Sequence, residues 1–260
     1  MMNTRSDIRT TMYRLPPILA TVLCLCALTA QSAEIPKHVA TTPVIQTEET
    51  ADWLESHREL NELSAKTESQ IAFVGDSITE MWERDDNGKP TWKKYWAPLK
   101  ATNFGHHGDR TEHLLWRLEH GNMDGLHPKL IVLLIGTNNS GQQYEPGGYV
   151  CTAQQTADGI AAIIQKLKQK CPTAKILLLA IFPRGEDPSD PIRKQNEATN
   201  ALIKKFADNT TLFYLDIGTR FLKPNGDGDV TIQPDLLHLS AKGYQIWAEA
   251  IYPTVVQLMK

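Results

Sequence analysis

Five short apolar runs alternate with helix-like segments along the chain, at residues 71–74, 101–104, 130–135, 175–182 and 212–217. The stronger runs are continuously apolar, which is typical of strands buried on both faces of a parallel sheet. Apolar residues recur with helical spacing at 109–120, 153–170 and 191–207, and a last helix follows Ser240, a good N-cap residue. The alternation predicts an α/β fold, a three-layer doubly wound sandwich with a five-stranded parallel sheet.

The first 33 residues have the features of a secretory signal peptide. Arg5, Arg9 and Arg14 precede an apolar stretch at 15–30, and small residues lead up to Ala33. The stretch is shorter than the roughly 20 apolar residues that a spanning helix needs. We therefore expect a secreted or periplasmic protein with no membrane span in the mature chain. An uncleaved N-terminal anchor is the alternative, and the position of the cleavage site is left open.

Charge and cysteine content narrow the function classes further. The chain has a formal net charge of −3 and no basic cluster, so neither nucleic acid nor an anionic membrane is expected as a partner. Cys151 and Cys171 flank the predicted helix at 153–170. Such a helix separates its ends by roughly 27 Å, whereas a disulfide needs Cα atoms within ~7 Å. Two free thiols are therefore predicted, although secreted proteins often form disulfides.

Ser77, Asp235 and His238 have the chemistry of a hydrolytic triad. Ser77 directly follows the first apolar run, and Asp235-Leu236-Leu237-His238 follows the fifth. Ligands of doubly wound folds bind at this end of the strands. A carboxylate that accepts the imidazole Nδ1–H leaves Nε2 free to take the serine proton. The alternatives are that Ser77 is only an N-cap, and that Asp235 caps a turn beside a surface histidine.

Gly108 and Asn138 are candidates for the oxyanion hole. They follow the second and third apolar runs, at the same predicted edge of the sheet as Ser77. The main-chain N–H groups of Ser77 and Gly108, with the Asn138 amide, would supply three donors to an oxyanion. Taken singly, either residue is equally typical of an ordinary turn.

Four sequence blocks resemble those of the SGNH (GDSL-type) hydrolase family. They are Gly75-Asp76-Ser77-Ile78, the segment 103–109, Gly136-Thr137-Asn138-Asn139 and Asp235-Leu236-Leu237-His238. Within that family they are most similar to the branch of the platelet-activating factor acetylhydrolase catalytic subunits. The resemblance covers roughly residues 65–258. It implies a flavodoxin-like sheet, a Ser77–His238–Asp235 triad, no metal or other cofactor, and a homodimer as one option.

The composition of the N-terminal segment and the extent of the resemblance together give the expected domains, and the resemblance gives the substrate contacts. We expect a signal peptide at 1–33, a polar leader with an N-terminal helix at 34–64, and a hydrolase domain at 65–260. The substrate-pocket candidates are Asp76, His106, His107 and Asn139. His106 and His107 replace smaller residues, and Asn139 stands where many members of the family have aspartate.

The expected function is a secreted serine esterase that hydrolyses short-chain, chiefly acetyl, esters through an acyl-enzyme. O-acetylated carbohydrates and lipids that carry a short acyl chain are both open as substrates. The rival hypothesis is a catalytically silent glycan- or peptide-binding protein on the same fold, with Trp82, Trp92 and Trp96 as contact residues. Tryptophans at this spacing are more typical of core packing.

Histidine and aspartate clusters do not predict a metal site. Five histidines fall within 106–127, but none of them forms a pair at ligand spacing. The segment Asp227-Gly228-Asp229 lacks the rest of a calcium-binding loop and is predicted to be a turn.

Overall fold

A computed structural model describes residues 35–141 and 150–260, except 36, 48 and 49. The predicted signal peptide at 1–33 lies outside the described residues. The five parallel strands have the order β2-β1-β3-β4-β5, the arrangement of a flavodoxin-like doubly wound sheet, so the predicted fold is confirmed. The strands are β1 (Ile71–Gly75), β2 (Ala101–Gly105), β3 (Leu130–Leu134), β4 (Lys175–Leu179) and β5 (Leu212–Leu215).

Helices connect the strands and cover both faces of the sheet. They are α1 (Thr50–Lys66), α2 (Ser77–Glu80), α3 (Lys89–Tyr95), α4 (Thr111–Glu119), α5 (Thr137–Gly141), α6 (Ala153–Lys170), α7 (Pro191–Ile203) and α8 (Ala241–Leu258). Short 3-10 turns lie at Val39–Thr41, Met81–Glu83, Ala97–Leu99, Lys204–Phe206 and Gly218–Phe221. The Ser240 hydroxyl accepts the Gly243 N–H at the start of α8, which confirms the predicted cap.

Strands β4 and β5 end before their apolar runs do. The main chain of Ile181 bonds to Asn200 of α7 instead of a neighbouring strand: its N–H donates to Oδ1 at 2.8 Å, and its C=O accepts from Nδ2 at 2.9 Å. Residues 180–182 nevertheless stay buried. Hydrophobicity therefore continues past the hydrogen-bonded ladder, which is why the sequence pattern overestimates the length of β4.

Alternate residues of each strand point to opposite faces, so the sheet has two apolar layers. One layer packs the sheet against α4, α6 and α7, and the other packs it against α3 and α8. Trp82, Trp92 and Trp96 lie in the second layer with 0%, 6% and 0% of their surface exposed. The three tryptophans are therefore core residues, and they do not form the contact surface that the rival hypothesis required.

Cys151 and Cys171 lie at opposite ends of α6, and both are buried free thiols, as predicted. Burial raises the pKa of both thiols. Among the described residues, no helix has the length and hydrophobicity needed to cross a membrane.

Candidate active site

The carboxyl ends of the three central strands are level with one another. Gly75 at the end of β1 is in register with Gly105 of β2 on one side and with Leu134 of β3 on the other. Ser77, Gly108 and Asn138 follow these residues by two to four positions. The sheet therefore brings all three candidates to the same edge.

Ser77 is the first residue of α2, but it is not the N-cap. Asp76 takes that role, because its Oδ1 accepts the Ile78 N–H at 3.0 Å. The interpretation of Ser77 as a capping serine is therefore wrong. Its hydroxyl instead lies 3.0 Å from Nε2 of His238.

The short helix α2 depends on its surroundings, since four residues are too few for a helix to be stable alone. Asn103 of β2 donates its amide to the C=O of Thr79 at 3.0 Å. Tyr244 of α8 is completely buried and donates its hydroxyl to the C=O of Ile78 at 2.7 Å. These two bonds fix the helix from both sides and so hold Ser77 in place.

Two glycines allow α2 to lie directly on the strand ends. A Cβ on Gly75 would come within 2.2 Å of the Leu134 carbonyl oxygen and 2.3 Å of Thr79 Oγ1. A Cβ on Gly105 would lie 2.2 Å from the Glu80 main-chain nitrogen. Any larger residue at either position would push the helix, and Ser77 with it, away from the sheet.

Asp235 and His238, called the base side below, lie on the loop before α8. Oδ2 of Asp235 is 2.7 Å from Nδ1 of His238, while Oδ1 accepts the N–H of Leu237 at 3.0 Å and that of His238 at 2.7 Å. Asp235 thus caps its own turn and contacts the imidazole at once. Partial burial acts to raise the pKa of Asp235, but the hydrogen bonds from His238 outweigh it and hold that pKa below its usual value.

Leu236, between the two polar residues, has a φ of 60°. This left-handed conformation is rare for a residue other than glycine, and such strain concentrates at functional sites. The strained turn places Asp235 and His238 on the same side of the loop. The carbonyl oxygen of Leu236 accepts the N–H of Gly185 at 2.9 Å, which ties this loop to the segment after β4.

Ser77, Gly108 and Asn138, called the nucleophile side below, carry the candidate oxyanion donors. Asn138 is 2% exposed and donates one N–H to the C=O of Asp109 at 2.9 Å; its amide has a second N–H. The Ser77 N–H belongs to the first turn of α2, where main-chain N–H groups have no intrahelical acceptor. Gly108 has a φ of 69°, which glycine adopts without strain.

The remaining substrate-pocket candidates make most of their contacts with other residues of the protein. His106 is 2% exposed, stacks on the His107 ring at 4.7 Å, and has its pKa lowered by burial. Asn139 is completely buried, accepts the N–H of Thr111 at 2.9 Å, and so joins α5 to the start of α4. His107 is more exposed and lines an open polar cavity beside Glu80.

A buried ion pair that was not predicted from the sequence lies next to the nucleophile side. Asp109 and Arg117 are both 0% exposed and lie 2.7 Å apart. Asp109 also accepts the indole N–H of Trp53, from α1, at 2.9 Å. The sequence feature that could have indicated this pair is Arg117, which lies between the buried leucines of α4. A charged side chain at such a position needs a buried partner.

Among the described residues there is no group of three or more histidine, cysteine, aspartate or glutamate side chains that could hold a metal ion. Asp229 accepts the N–H of Thr231 at 2.9 Å, as expected for a turn residue.

Asp76 has a perturbed acidity. Its carboxyl is 1% exposed, and burial, with the nearby Asp109 carboxylate adding to the effect, raises its pKa to about 7. The unfolded chain has the ordinary aspartate pKa of about 4, so the folded state binds an extra proton between these values. The resulting stabilisation is fully present below about pH 4 and is lost as the pH rises through about 7.

We therefore expect Asp76→Asn to reduce the pH dependence of stability. The amide oxygen can still accept the Ile78 N–H, but the amide does not titrate. Between about pH 4 and pH 8, the free energy of unfolding of the wild type should fall relative to that of the variant by up to about 4 kcal/mol. Urea unfolding at both pH values measures this, and parallel curves for the two proteins would contradict it.

The chain is similar in sequence to known acylhydrolases. A model of the GDSL-like Lipase/Acylhydrolase family matches residues 73–246. Over 219 residues the chain is 32% identical to platelet-activating factor acetylhydrolase IB subunit alpha1 of Bos taurus, which covers 84% of this chain and 88% of that protein. Over 209 residues it is 33% identical to subunit alpha2 of Rattus norvegicus, which covers 80% of this chain and 85% of that protein.

Solved structures with the same fold include a GDSL-like lipase from Bacteroides thetaiotaomicron, with a TM-score of 0.62, 20% identity, and coverage of 77% of this chain and 97% of that one. Another is an acetylxylan esterase from Geobacillus stearothermophilus, with a TM-score of 0.56, 19% identity, and coverage of 74% and 94%. At these identities the likeness concerns the fold alone.

Proposed function

Because the chain belongs to the GDSL-like lipase/acylhydrolase family, we propose that it hydrolyses esters with Ser77 as nucleophile, His238 as general base and Asp235 as the residue that orients the base. The protein is a carboxylic ester hydrolase. The observation that carries the proposal is the continuous contact from Ser77 Oγ to His238 Nε2 at 3.0 Å and from His238 Nδ1 to Asp235 at 2.7 Å.

The proposed reaction has two halves. His238 takes the hydroxyl proton as Ser77 Oγ attacks the ester carbonyl, and the N–H groups of Ser77 and Gly108 with the Asn138 amide bind the tetrahedral oxyanion. His238 then gives the proton to the leaving alcohol, and the acyl group stays on Ser77. Water, deprotonated by His238, attacks the acyl carbonyl; the bond between the acyl group and Ser77 Oγ then breaks, His238 returns the proton to Oγ, and the acid is released. Asp235 stabilises the imidazolium that forms in each half.

Short acyl groups, acetyl above all, are the proposed substrates. Support comes from the names of the relatives, which are acetylhydrolase subunits, and of a structural neighbour, an acetylxylan esterase. The stacked rings of His106 and His107 also occupy the loop directly before Gly108 and leave less room there than small residues would. The alcohol portion, whether carbohydrate or lipid, is open.

A labelling experiment combined with two substrates tests the proposal. A fluorophosphonate probe should label Ser77, as found by peptide mass mapping, and kcat/KM should be higher for p-nitrophenyl acetate than for the octanoate. Labelling of another residue, or of none in a folded sample, would refute the proposed nucleophile. Faster cleavage of the octanoate would refute only the preference for short acyl groups.

Secretion and assembly belong to the same proposal. The sequence of residues 1–33 supports export, which N-terminal sequencing of the protein recovered outside the cytoplasm would test. The domain boundaries at 34–64 and 65–260 and the suggested homodimer also stay predictions, and sedimentation equilibrium would test the dimer.

A further inference from the structure

Arg117 of α4 is fully buried and contacts several segments of the nucleophile side. Its Nε donates to Oδ2 of Asp109 at 2.7 Å. Its Nη2 donates to the carbonyl oxygens of Gly75 at 3.3 Å and of Phe104 at 3.2 Å. One guanidinium thus joins the ends of β1 and β2 to the residue that follows Gly108.

These acceptors are directly connected to the candidate catalytic groups. Gly75 lies two positions before Ser77 in the chain. Asp109 is bonded covalently to Gly108, and its carbonyl oxygen accepts the Asn138 amide at 2.9 Å. A displacement of Arg117 would therefore move all three members of the nucleophile side relative to one another.

Arg193 of α7 makes comparable main-chain contacts near the base side of the site. It is 1% exposed, and its guanidinium donates to three main-chain carbonyl oxygens. The acceptors are Arg184 at 2.9 Å, Gly185 at 2.6 Å and Gly226 at 2.6 Å. It thereby fixes the segment that leaves β4.

That segment supports the base side through its own hydrogen bonds. The N–H of Gly185 donates to the carbonyl oxygen of Leu236 at 2.9 Å. The buried amide of Gln233 bridges the carbonyl oxygens of Pro183 and Leu237, each at 3.0 Å. Leu236 and Leu237 are the two residues between Asp235 and His238.

We propose that Arg117 and Arg193 are positioning residues that hold the two halves of the site independently, Arg117 the nucleophile side and Arg193 the base side. This inference rests on the proposed function. Arginine suits both positions because its planar guanidinium has five N–H donors in a fixed geometry, whereas lysine concentrates three donors on one rotating atom. Lysine keeps the charge at either position but cannot reach the same acceptors at once.

Displacement of the nucleophile side and displacement of the base side should cause different kinetic defects. The oxyanion forms with every ester, so a displaced nucleophile side should slow all substrates alike. An alkoxide leaving group needs the proton from His238, whereas p-nitrophenolate leaves without it. A displaced base side should therefore slow an alkyl acetate more than the p-nitrophenyl ester.

The experiment compares Arg117→Lys with Arg193→Lys. kcat/KM is measured for p-nitrophenyl acetate and for ethyl acetate, per active site counted by complete fluorophosphonate labelling. For Arg117→Lys we expect a loss of about 10²-fold on both esters with little change in KM, as for removal of an oxyanion donor. For Arg193→Lys we expect a loss on ethyl acetate at least about tenfold larger than on the activated ester.

Second variants keep each half testable if a lysine variant does not fold. Asp109→Asn keeps the shape of the partner of Arg117 and should reproduce the uniform loss. Gln233→Met removes the two bonds to the base loop and should reproduce the loss that depends on the leaving group. Leu167→Ala, in the apolar core of α6, is the matched control: it lowers stability without touching either network, so activity per titrated site should be retained.

The outcomes separate this inference from the proposed function. Wild-type protein that hydrolyses neither ester would refute the function itself. With an active wild type, folded variants within about threefold of its rate, or the same ratio of losses for both arginines, would overturn the positioning roles. A loss per titrated site in Leu167→Ala as large as in Arg117→Lys would also overturn them.

Discussion

Replacing Ser77 by alanine is expected to lower kcat for p-nitrophenyl acetate by about 10⁴-fold or more, because the acyl-enzyme can no longer form. The remaining rate comes from binding and from the oxyanion donors. The main-chain N–H of residue 77 stays in place, and the lost hydroxyl has its contact with His238, a partly exposed residue. The free energy of unfolding should therefore change by only about 1 kcal/mol.

The measurement is steady-state hydrolysis together with urea unfolding and fluorophosphonate labelling. Ser64→Ala is a matched control, because Ser64 is a buried serine of α1 whose hydroxyl donates to the Leu60 carbonyl oxygen at 2.9 Å and accepts the Met123 N–H at 3.0 Å, and both partners lie outside the proposed triad. The control should keep both its activity and its label at Ser77. A purified Ser77→Ala protein with more than about 1% of wild-type kcat would rule out the proposed nucleophile.

Asp235→Asn should lower kcat/KM by about 10³- to 10⁴-fold while the loop keeps its shape. The amide oxygen can still accept the N–H groups of Leu237 and His238, as Oδ1 does now. The amide NH₂ would then face Nδ1 of His238, which favours the tautomer with its proton on Nε2. That tautomer cannot accept the proton of Ser77.

Asp229→Asn provides the comparison for this variant. The Asp229 carboxylate also accepts a main-chain and a hydroxyl donor in an exposed turn, but both come from Thr231 and neither from the base side. Its replacement should leave kcat/KM within about twofold of the wild type. If Asp235→Asn were equally mild, Asp235 would be a turn cap without a role in orienting the base.

The sequence predicted that Ser77, Gly108 and Asn138 lie at one edge of the sheet, because the carboxyl ends of neighbouring parallel strands lie side by side. The register of Gly75 with Gly105 and Leu134 confirms that the three strands end level with one another. The sequence also predicted the free thiols, since helix length alone separates Cys151 from Cys171.

The supporting residues could not be predicted in the same way. Arg117 and Arg193 bind main-chain carbonyl oxygens, which every residue has, so no sequence pattern marks the acceptors. Trp53 contacts Asp109 from a helix 56 positions away in the chain, and such a distance carries no periodic signal. The alternative that Ser77 is only an N-cap could not be excluded from the sequence, because serine and aspartate are both good caps and only the Asp76–Ile78 hydrogen bond distinguishes them.

Ser77 and His238, the proposed nucleophile and base, are 161 residues apart in the chain and meet only across the finished sheet. A partly folded chain therefore carries a serine of ordinary reactivity, and the probe that labels the active site also reports that folding is complete. If the chain is exported in an unfolded state, its esterase activity begins only after it has left the compartment in which it was made.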